Sequence, residues 1–174
     1  IYLDEKVRGM FMLRKKLTAL IMLGMCLIIA GCAKEQSVSL PEDIPDFVKV
    51  GDFESIDWDQ KAVMFGDSGI IGNENKSGVI GAGMPSLNGQ KWMWHLWGND
   101  DPVGKELTIV GFHKETNSVH PILMTGWSLQ LGGENNGANA HAPSSVQIPE
   151  PGEWAILLYV DEKLFDTLIY DINE

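Results

Sequence analysis

The chain has 174 residues, 44% of them hydrophobic, with 13 basic and 24 acidic side chains and a formal net charge of −11. So acidic a chain repels the phosphate backbone of nucleic acids, which argues against nucleic acid as a partner. Its two cysteines, Cys26 and Cys32, both lie near the N-terminus, so a domain stabilised by disulfides is not expected.

The N-terminal part has the pattern of a secretory signal peptide. A basic group, Arg14–Lys16, precedes an apolar run that extends over 17–31. The run has about 15 residues, fewer than the roughly 20 that span a bilayer as a helix. Residues 1–9 contain acidic side chains that do not fit such a leader. We therefore expect residues 1–9 to be a start-site artefact and translation to begin at Met10 or Met12.

The end of the apolar run carries a more specific signal. Ile29, Ala30, Gly31 and Cys32 resemble the lipobox of bacterial lipoproteins. The resemblance implies that a signal peptidase recognises Ile29, Ala30 and Gly31, cuts before Cys32, and leaves a diacylglycerol on the Cys32 sulfur. Residues 1–31 would then be the signal peptide of a protein anchored on the extracytoplasmic face of the cell membrane. An ordinary secretory signal with a chance cysteine and an uncleaved anchor are the alternatives.

Cleavage before Cys32 leaves 143 residues, which suits one domain with a single core. This part has 8 basic and 22 acidic residues and a net charge of −14. Membrane attachment is therefore expected from the lipid and not from a basic face. The polar stretch 32–45 is predicted to be the lipidated cysteine and a flexible tether, and residues 46–174 the domain.

From Asp46 onward the sequence consists of short apolar runs broken by Gly, Asn, Asp and Pro. The runs are rich in β-branched and aromatic residues and none sustains a helical period, which predicts an all-β domain. We predict an immunoglobulin-like β-sandwich of about seven to nine short strands. The predicted strands are Phe47–Val50, Ala62–Phe65, Gly78–Ile80, Trp92–Trp97, Leu107–His113, Ile122–Leu129, Val146–Ile148, Glu153–Val160 and Leu164–Ile172.

Three segments together resemble one protein family. They are Lys91–Gly98, which holds three tryptophans, Asn136–Ser145 and Pro151–Trp154. They are similar to a family of uncharacterised lipoproteins from Bacillus-type bacteria that carry a domain of unknown function. The similarity extends from about Phe65 to the C-terminus. It implies a Gram-positive cell surface and an immunoglobulin-like domain, and it transfers no catalytic residue.

The chain has six tryptophans, more than one sandwich core commonly requires. Trp92 and Trp94 point to one side of their strand and Trp97 to the other, so they serve either core packing or an exposed platform for a sugar or a partner's apolar surface. The stretch Gly132–Ser145 has no strand pattern and is predicted to be a long loop. We predict a recognition surface for an envelope protein or glycan, formed by Trp92, Trp94, Trp97, Asn135, Asn136, Asn139 and His141.

The four histidines, His95, His113, His120 and His141, are candidate metal ligands. Histidine together with methionine suits copper in exported sandwich proteins, and histidine suits zinc. No tight ligand spacing such as His-x-His occurs. A copper- or zinc-binding lipoprotein is therefore the alternative function, while no metal site and no cofactor are assigned.

Two motifs have enzymatic or ion-binding counterparts. Phe65–Gly69 resembles the nucleophile motif of trypsin-like proteases and the first block of Gly-Asp-Ser-Leu lipases, but no histidine precedes Ser68 and no late Asp-x-x-His supplies a base. Asn73–Gly78 resembles the start of a calcium loop whose twelfth position is Met84 instead of Glu. Both are predicted to be turns between strands. A hydrolase is the least favoured alternative, and no enzymatic activity is expected.

Overall fold

Short strands form almost all of the regular structure. The computed structural model describes residues 37–82, 87–98 and 102–173, and in these ranges it has ten strands and one helix, α1 (Val50–Glu54). That helix is too short to cross a membrane, and none within the described ranges is long enough. The strands are β1 (Val63–Phe65), β2 (Ile70–Asn73), β3 (Ser77–Ile80), β4 (Gln90–Leu96), β5 (Glu106–His113), β6 (Ser118–Pro121), β7 (Ser128–Gln130), β8 (Ala140–Val146), β9 (Gly152–Val160) and β10 (Lys163–Ile172).

The strands form two antiparallel sheets. The first sheet has the order β1-β2-β3-β4-β8, and the second has the order β10-β9-β5-β6, with β7 also paired to β5. Sequential strands pair through short turns, as between β9 and β10, where Asp161 and Glu162 both have positive φ. The predicted all-β sandwich of short strands is confirmed. The predicted signal peptide and lipobox lie outside the described residues.

The two sheets enclose one apolar core. Trp92, Trp94 and Leu96 of β4 share a cluster with alternate residues of β9, among them Trp154 and Ile156. Successive side chains of a strand point to opposite faces of the sheet, so this spacing gives each strand one face in the core. Trp94 and Trp154 are both 0% exposed. Their indole N–H groups are nonetheless satisfied, because Trp94 donates to the Ser144 hydroxyl at 2.8 Å and Trp154 to a backbone carbonyl at 3.1 Å.

A second apolar cluster lies on the outer face of the second sheet. The N-terminal segment, residues 37–49, and α1 cover the face that Phe112 and Leu157 present away from the core. Phe53 of α1 contacts Phe112 with ring centroids 4.9 Å apart. Trp127 donates its indole N–H to Asp43 at 3.2 Å. The second sheet is therefore buried on both faces, which explains why every residue from Trp154 to Val160 is buried.

The predicted tether is wrong for residues 37–45. Val38, Leu40 and Ile44 pack against the second cluster, and Ser39 pairs with Ser118 of β6. These apolar side chains remove from water a sheet face that would otherwise be exposed, and that burial stabilises the docked segment. The compact unit accordingly begins at Ser37 and not at residue 46.

The stretch predicted as a long loop, Gly132–Ser145, is in large part strand β8. Its residues Ala-His-Ala-Pro-Ser-Ser have low β-propensity, so the sequence does not show the pattern of a strand here. Pro143 is tolerated because β8 is the edge of the first sheet. An edge strand needs no partner for the missing proline N–H on its open side.

Other differences concern short elements. The predicted strand Phe47–Val50 leads instead into α1, and the predicted strand Ile122–Leu129 overlaps only the start of β7. Strands β2 and β6 were not predicted, since each has four residues and contains glycine or proline. The turns predicted at Gly66–Gly69 and within Asn73–Gly78 are confirmed, as they join β1 to β2 and β2 to β3.

Candidate functional site

A row of paired residues crosses the outer face of the first sheet. The register pairs Val63 with Gly72, Gly72 with Gly78, Gly78 with His95, and His95 with His141. Residues that are directly opposite in antiparallel strands point to the same face of the sheet. His95 and His141 therefore lie side by side, on the face turned away from the core.

Aromatic rings line this face next to His95. The Trp97 ring stacks on His95 with centroids 6.1 Å apart and 28° between the planes, and Phe65 meets Trp97 edge-on at 5.6 Å. Gly78 makes the arrangement possible. A Cβ at that position would lie 2.5 Å from the Ile70 Cγ2 and 3.1 Å from the Phe65 Cζ. The missing side chain thus lets Ile70 and Phe65 settle against the sheet.

The chain before β8 forms a hairpin beside this row. Asn135 exchanges two backbone hydrogen bonds, of 3.1 and 2.8 Å, with the residue three positions later. Between them Asn136 and Gly137 have φ of 47° and 79°, the signature of a type I′ turn, for which Asn-Gly is the preferred sequence. The hairpin begins at Gly132, which pairs with His141. This geometry directs the asparagine side chains toward His95.

His95 is enclosed by these neighbours and is 0% exposed. Its Nδ1 lies 3.1 Å from the Met93 carbonyl oxygen, and its Nε2 lies 3.2 Å from the Asn135 Oδ1 and 3.1 Å from the Asn136 Nδ2. Burial lowers the pKa of His95, and nearby His141 lowers it further, although the hydrogen bonds to Asn135 and Met93 act in the opposite direction. The ring is therefore neutral at pH 7, with Nδ1–H donating to the carbonyl and Nε2 accepting from Asn136.

His141 has the same arrangement on the neighbouring strand. Its Nδ1 lies 2.8 Å from the Gly133 carbonyl oxygen, which can only accept, so Nδ1 carries the proton of the neutral ring. Asn139 ties the hairpin to the end of β4, since its Oδ1 accepts a hydrogen bond from the Gly98 N–H at 2.7 Å. We name this group the His95 site; it consists of Phe65, His95, Trp97, Asn135, Asn136, Asn139 and His141.

The predicted recognition surface is partly assembled and partly wrong. Trp97, the three asparagines and His141 come together in the His95 site, whereas Trp92 and Trp94 are 3% and 0% exposed and belong to the core. They cannot contact a ligand at the surface, because their faces meet the second sheet. Core packing therefore holds for Trp92 and Trp94, while Trp97 is half-buried on the opposite face.

Phe65 was not predicted as part of the site. Its only sequence signal was the hydrolase-like motif that it begins, and no spacing rule links it to Trp97. The hairpin, by contrast, had a signal in the Asn136-Gly137 dipeptide, which is a strong mark of a two-residue turn.

The other two histidines lie on the second sheet and form no metal site. His113 is buried, with Nε2 2.9 Å from Glu115 and Nδ1 3.2 Å from Glu150. These carboxylates contact opposite nitrogens of the ring, so they cannot share one ion with it. His120 hydrogen-bonds through Nε2 to the Ser118 hydroxyl at 2.7 Å. Within the described ranges no three His, Cys, Asp or Glu side chains are grouped so as to hold a metal ion.

The hydrolase and calcium alternatives gain no support from the geometry. Ser68 lies exposed in the β1–β2 turn, and among described residues no histidine is hydrogen-bonded to it. Asn73 uses its side-chain amide to donate to both carboxylate oxygens of Asp166, at 3.1 and 3.2 Å. Ser77 donates to the same carboxylate at 2.5 Å. These bonds connect the β2–β3 turn to β10, which is a structural role.

Comparison with known proteins identifies the family to which this chain belongs. The sequence profile described as a domain of unknown function, DUF4871, matches residues 47–170. The chain belongs to the DUF4871 family. The predicted resemblance to a family with a domain of unknown function is thereby confirmed. Every residue of the His95 site falls inside the DUF4871 match.

A solved structure shares the fold of this DUF4871 protein. The crystal structure of a candidate lipoprotein from Bacillus anthracis matches with a TM-score of 0.60 at 18% sequence identity, over 78% of this chain and 100% of that chain. At this identity the likeness concerns the fold alone. No curated protein matches the chain.

Proposed function

We propose that this DUF4871 protein is a lipid-anchored, extracytoplasmic binding protein without catalytic activity, and that its His95 site binds a neutral glycan of the cell envelope. The lipobox at Ile29–Cys32 supports the anchor, and so does the lipoprotein designation of the Bacillus anthracis protein with the same fold. The membrane is then a partner through the diacylglycerol on Cys32.

The observation that carries the binding role is the state of Trp97. Its ring is half-buried, and its indole N–H has no acceptor among the described residues, a state that it shares with Trp58, whereas Trp92, Trp94, Trp127 and Trp154 each donate to one. Trp97 differs from Trp58 in lying beside exposed amide side chains. An aromatic ring offers an apolar face together with a polar handle. An indole without a hydrogen-bond partner is suited to a ligand that accepts its hydrogen bond.

The surroundings of Trp97 favour a sugar. Asn136 and Asn139 are exposed beside it, and an amide side chain both donates and accepts hydrogen bonds, as sugar hydroxyls require. The predicted mature net charge of −14 disfavours anionic polymers. A neutral saccharide of the envelope therefore fits better than a phosphate-bearing one.

The anchor is tested by metabolic labelling with a radioactive fatty acid. The unmodified chain and Cys26→Ser are expected to take up label, and Cys32→Ser is expected to take up none. Equal labelling of Cys32→Ser would show that acylation does not occur at this residue.

The binding role is tested on the full chain in detergent with soluble fragments of neutral envelope glycan as the probe. We expect the indole Nε1–H resonance of Trp97 to shift on titration, and Trp97→Ala to abolish the shifts elsewhere in the site. Trp58→Ala is the matched control, since Trp58 is also half-buried but lies against the second cluster. An unchanged spectrum, or capture of an envelope protein in place of the glycan, would contradict the proposal.

A further inference from the structure

His95 and His141 are neighbours on one sheet face, and the proposed sugar binding does not require this proximity. They are directly paired across β4 and β8 and share one face of the sheet. The β-carbons of such a pair are about 4.5–5.5 Å apart, which allows two imidazoles to reach one ion. His141 also lies close enough to lower the pKa of His95.

Both imidazoles are held in the same tautomer. Nδ1 of His95 faces the Met93 carbonyl oxygen at 3.1 Å, and Nδ1 of His141 faces the Gly133 carbonyl oxygen at 2.8 Å. Histidines that bind metal in proteins usually donate the other ring N–H in this way, which fixes the ring and raises the basicity of the free nitrogen. Both Nε2 atoms thus carry the lone pair.

Neither Nε2 atom has a charged hydrogen-bond partner among the described residues. The Nε2 of His141 has no hydrogen-bond partner among the described residues, and that of His95 accepts only the amide of Asn136 at 3.1 Å. The Asn135 Oδ1 lies 3.2 Å from the same nitrogen. Only the protonated ring could donate from Nε2 to this oxygen; in the neutral ring both atoms carry lone pairs and repel each other. Their separation matches that of neighbouring ligands around one ion with bonds of about 2.0–2.2 Å.

We propose that His95 and His141 form a binding site for a divalent late transition-metal ion, Zn²⁺ or Cu²⁺, with the Asn135 Oδ1 as a third ligand and water completing the shell. Imidazole nitrogen suits these ions, while Ca²⁺ and Mg²⁺ prefer a shell of oxygen ligands. The Asn136 amide leaves the His95 Nε2 when the ion enters, so that binding draws the hairpin turn aside.

The contrast with His113 and His120 supplies the control. These two also lie near each other, and both contact the ring of Trp154. However, His113 has an acceptor at each nitrogen, and the His120 Nε2 is taken by Ser118. Neither offers a free nitrogen next to a second one. Replacing His120 is therefore expected to leave metal binding unchanged.

The test is isothermal titration of the full chain in detergent with Zn²⁺ and Cu²⁺, and with Ca²⁺ and Mg²⁺ for comparison. The chain carries Cys26→Ser and Cys32→Ser and has no polyhistidine tag, so that neither thiols nor a tag compete. We expect one Zn²⁺ or Cu²⁺ per chain, affinity at least about tenfold weaker in His141→Ala, and no change in His120→Ala.

A second variant keeps the test decisive if His141→Ala is unstable. Asn135→Asp replaces the amide oxygen with a carboxylate at the same position and is expected to strengthen Zn²⁺ binding. Nitrogen NMR of the two imidazoles should show the Nε2 and not the Nδ1 signals shifting on addition of Zn²⁺. The proposal is overturned by an absence of one-to-one binding, by equal losses in His141→Ala and His120→Ala, or by shifts confined to Nδ1.

Discussion

Burial is the main reason that the His95 side chain is neutral. It is fully buried, and its hydrogen-bond partners among the described residues are amide and carbonyl groups. Desolvation disfavours the imidazolium, which lowers the pKa of His95 in the folded protein below that in the unfolded chain. His120 follows the same direction because of its burial.

Stability should therefore fall on mild acidification. Below about pH 6.5 the unfolded state takes up protons at these two histidines, while the folded state does not. The free energy of unfolding therefore decreases as the pH falls below that value. His95 can contribute at most about 1.4 kcal/mol over the first pH unit. Urea unfolding at pH 7.5 and 5.5 measures the loss, which should be smaller in His95→Gln. An equal loss in that variant would contradict the assignment.

Individual residues were predictable only as far as local periodicity reaches. Alternation along β4 correctly separates Trp94 from Trp97, because a strand has two faces. It does not say which face meets the second sheet, since that depends on β9, about sixty residues later in the chain. Burial of His95 was likewise out of reach, because its cover comes from Asn135 and Asn136, forty residues on.

Among the elements, the hairpin that precedes β8 depends on two residues with positive φ. Gly137 has φ of 79° and open space around its missing Cβ, so a side chain there would meet backbone strain and no clash. Gly133 in the same hairpin has no positive φ, and a Cβ there would make an ordinary contact of 3.7 Å with Val103. Substituting each of the two glycines therefore distinguishes backbone strain at a positive φ from the loss of a glycine as such.

We expect Gly137→Ala to destabilise the protein by about 1–2 kcal/mol, because an L-residue in the left-handed region is disfavoured by that amount. Gly133→Ala should change stability by no more than about 0.5 kcal/mol. Urea midpoints with unchanged slopes measure both effects. If the two variants are equally stable, the type I′ turn is not the element that holds the hairpin.

Long apolar strands were predictable and polar ones were not. β5, β9 and β10 were located to within a residue or two because their hydrophobic runs are bounded by turn residues. β8 was not predicted, because backbone pairing with β4 holds it in place while its Ala, Pro and Ser side chains have low β-propensity.

At the scale of the whole molecule, the N-terminal segment changes the number of apolar layers. A sandwich with one core leaves the outer faces of its sheets to water, but here the second sheet is covered as well. The polar composition of residues 37–45 suggested a tether, because the few apolar residues among them, such as Val38 and Leu40, have no local period that reveals their partner.

Removing the segment should therefore cost stability. We expect a chain that begins at Asp46, the predicted domain boundary, to be less stable than one that begins at Ser37 by at least about 2 kcal/mol, since three half-buried aliphatic side chains are lost and a full burial is worth about 1.5–3 kcal/mol each. Thermal unfolding of the two chains, together with fluorescence of Trp127, measures the difference. Equal stability of the two chains would indicate that residues 37–45 are a flexible tether after all.

Under the proposed lipid anchor, docking of the segment would also limit the distance between the domain and the bilayer. With Cys32 acylated as proposed, only residues 33–36 separate the anchor from Ser37, and five residue spacings reach at most about 18 Å. This maximum reach is only slightly longer than the radius of gyration of the domain, roughly 14 Å. An anchored domain would then stay within a thin layer just above the lipid headgroups. In that position it would meet mainly molecules that are themselves held at the membrane surface.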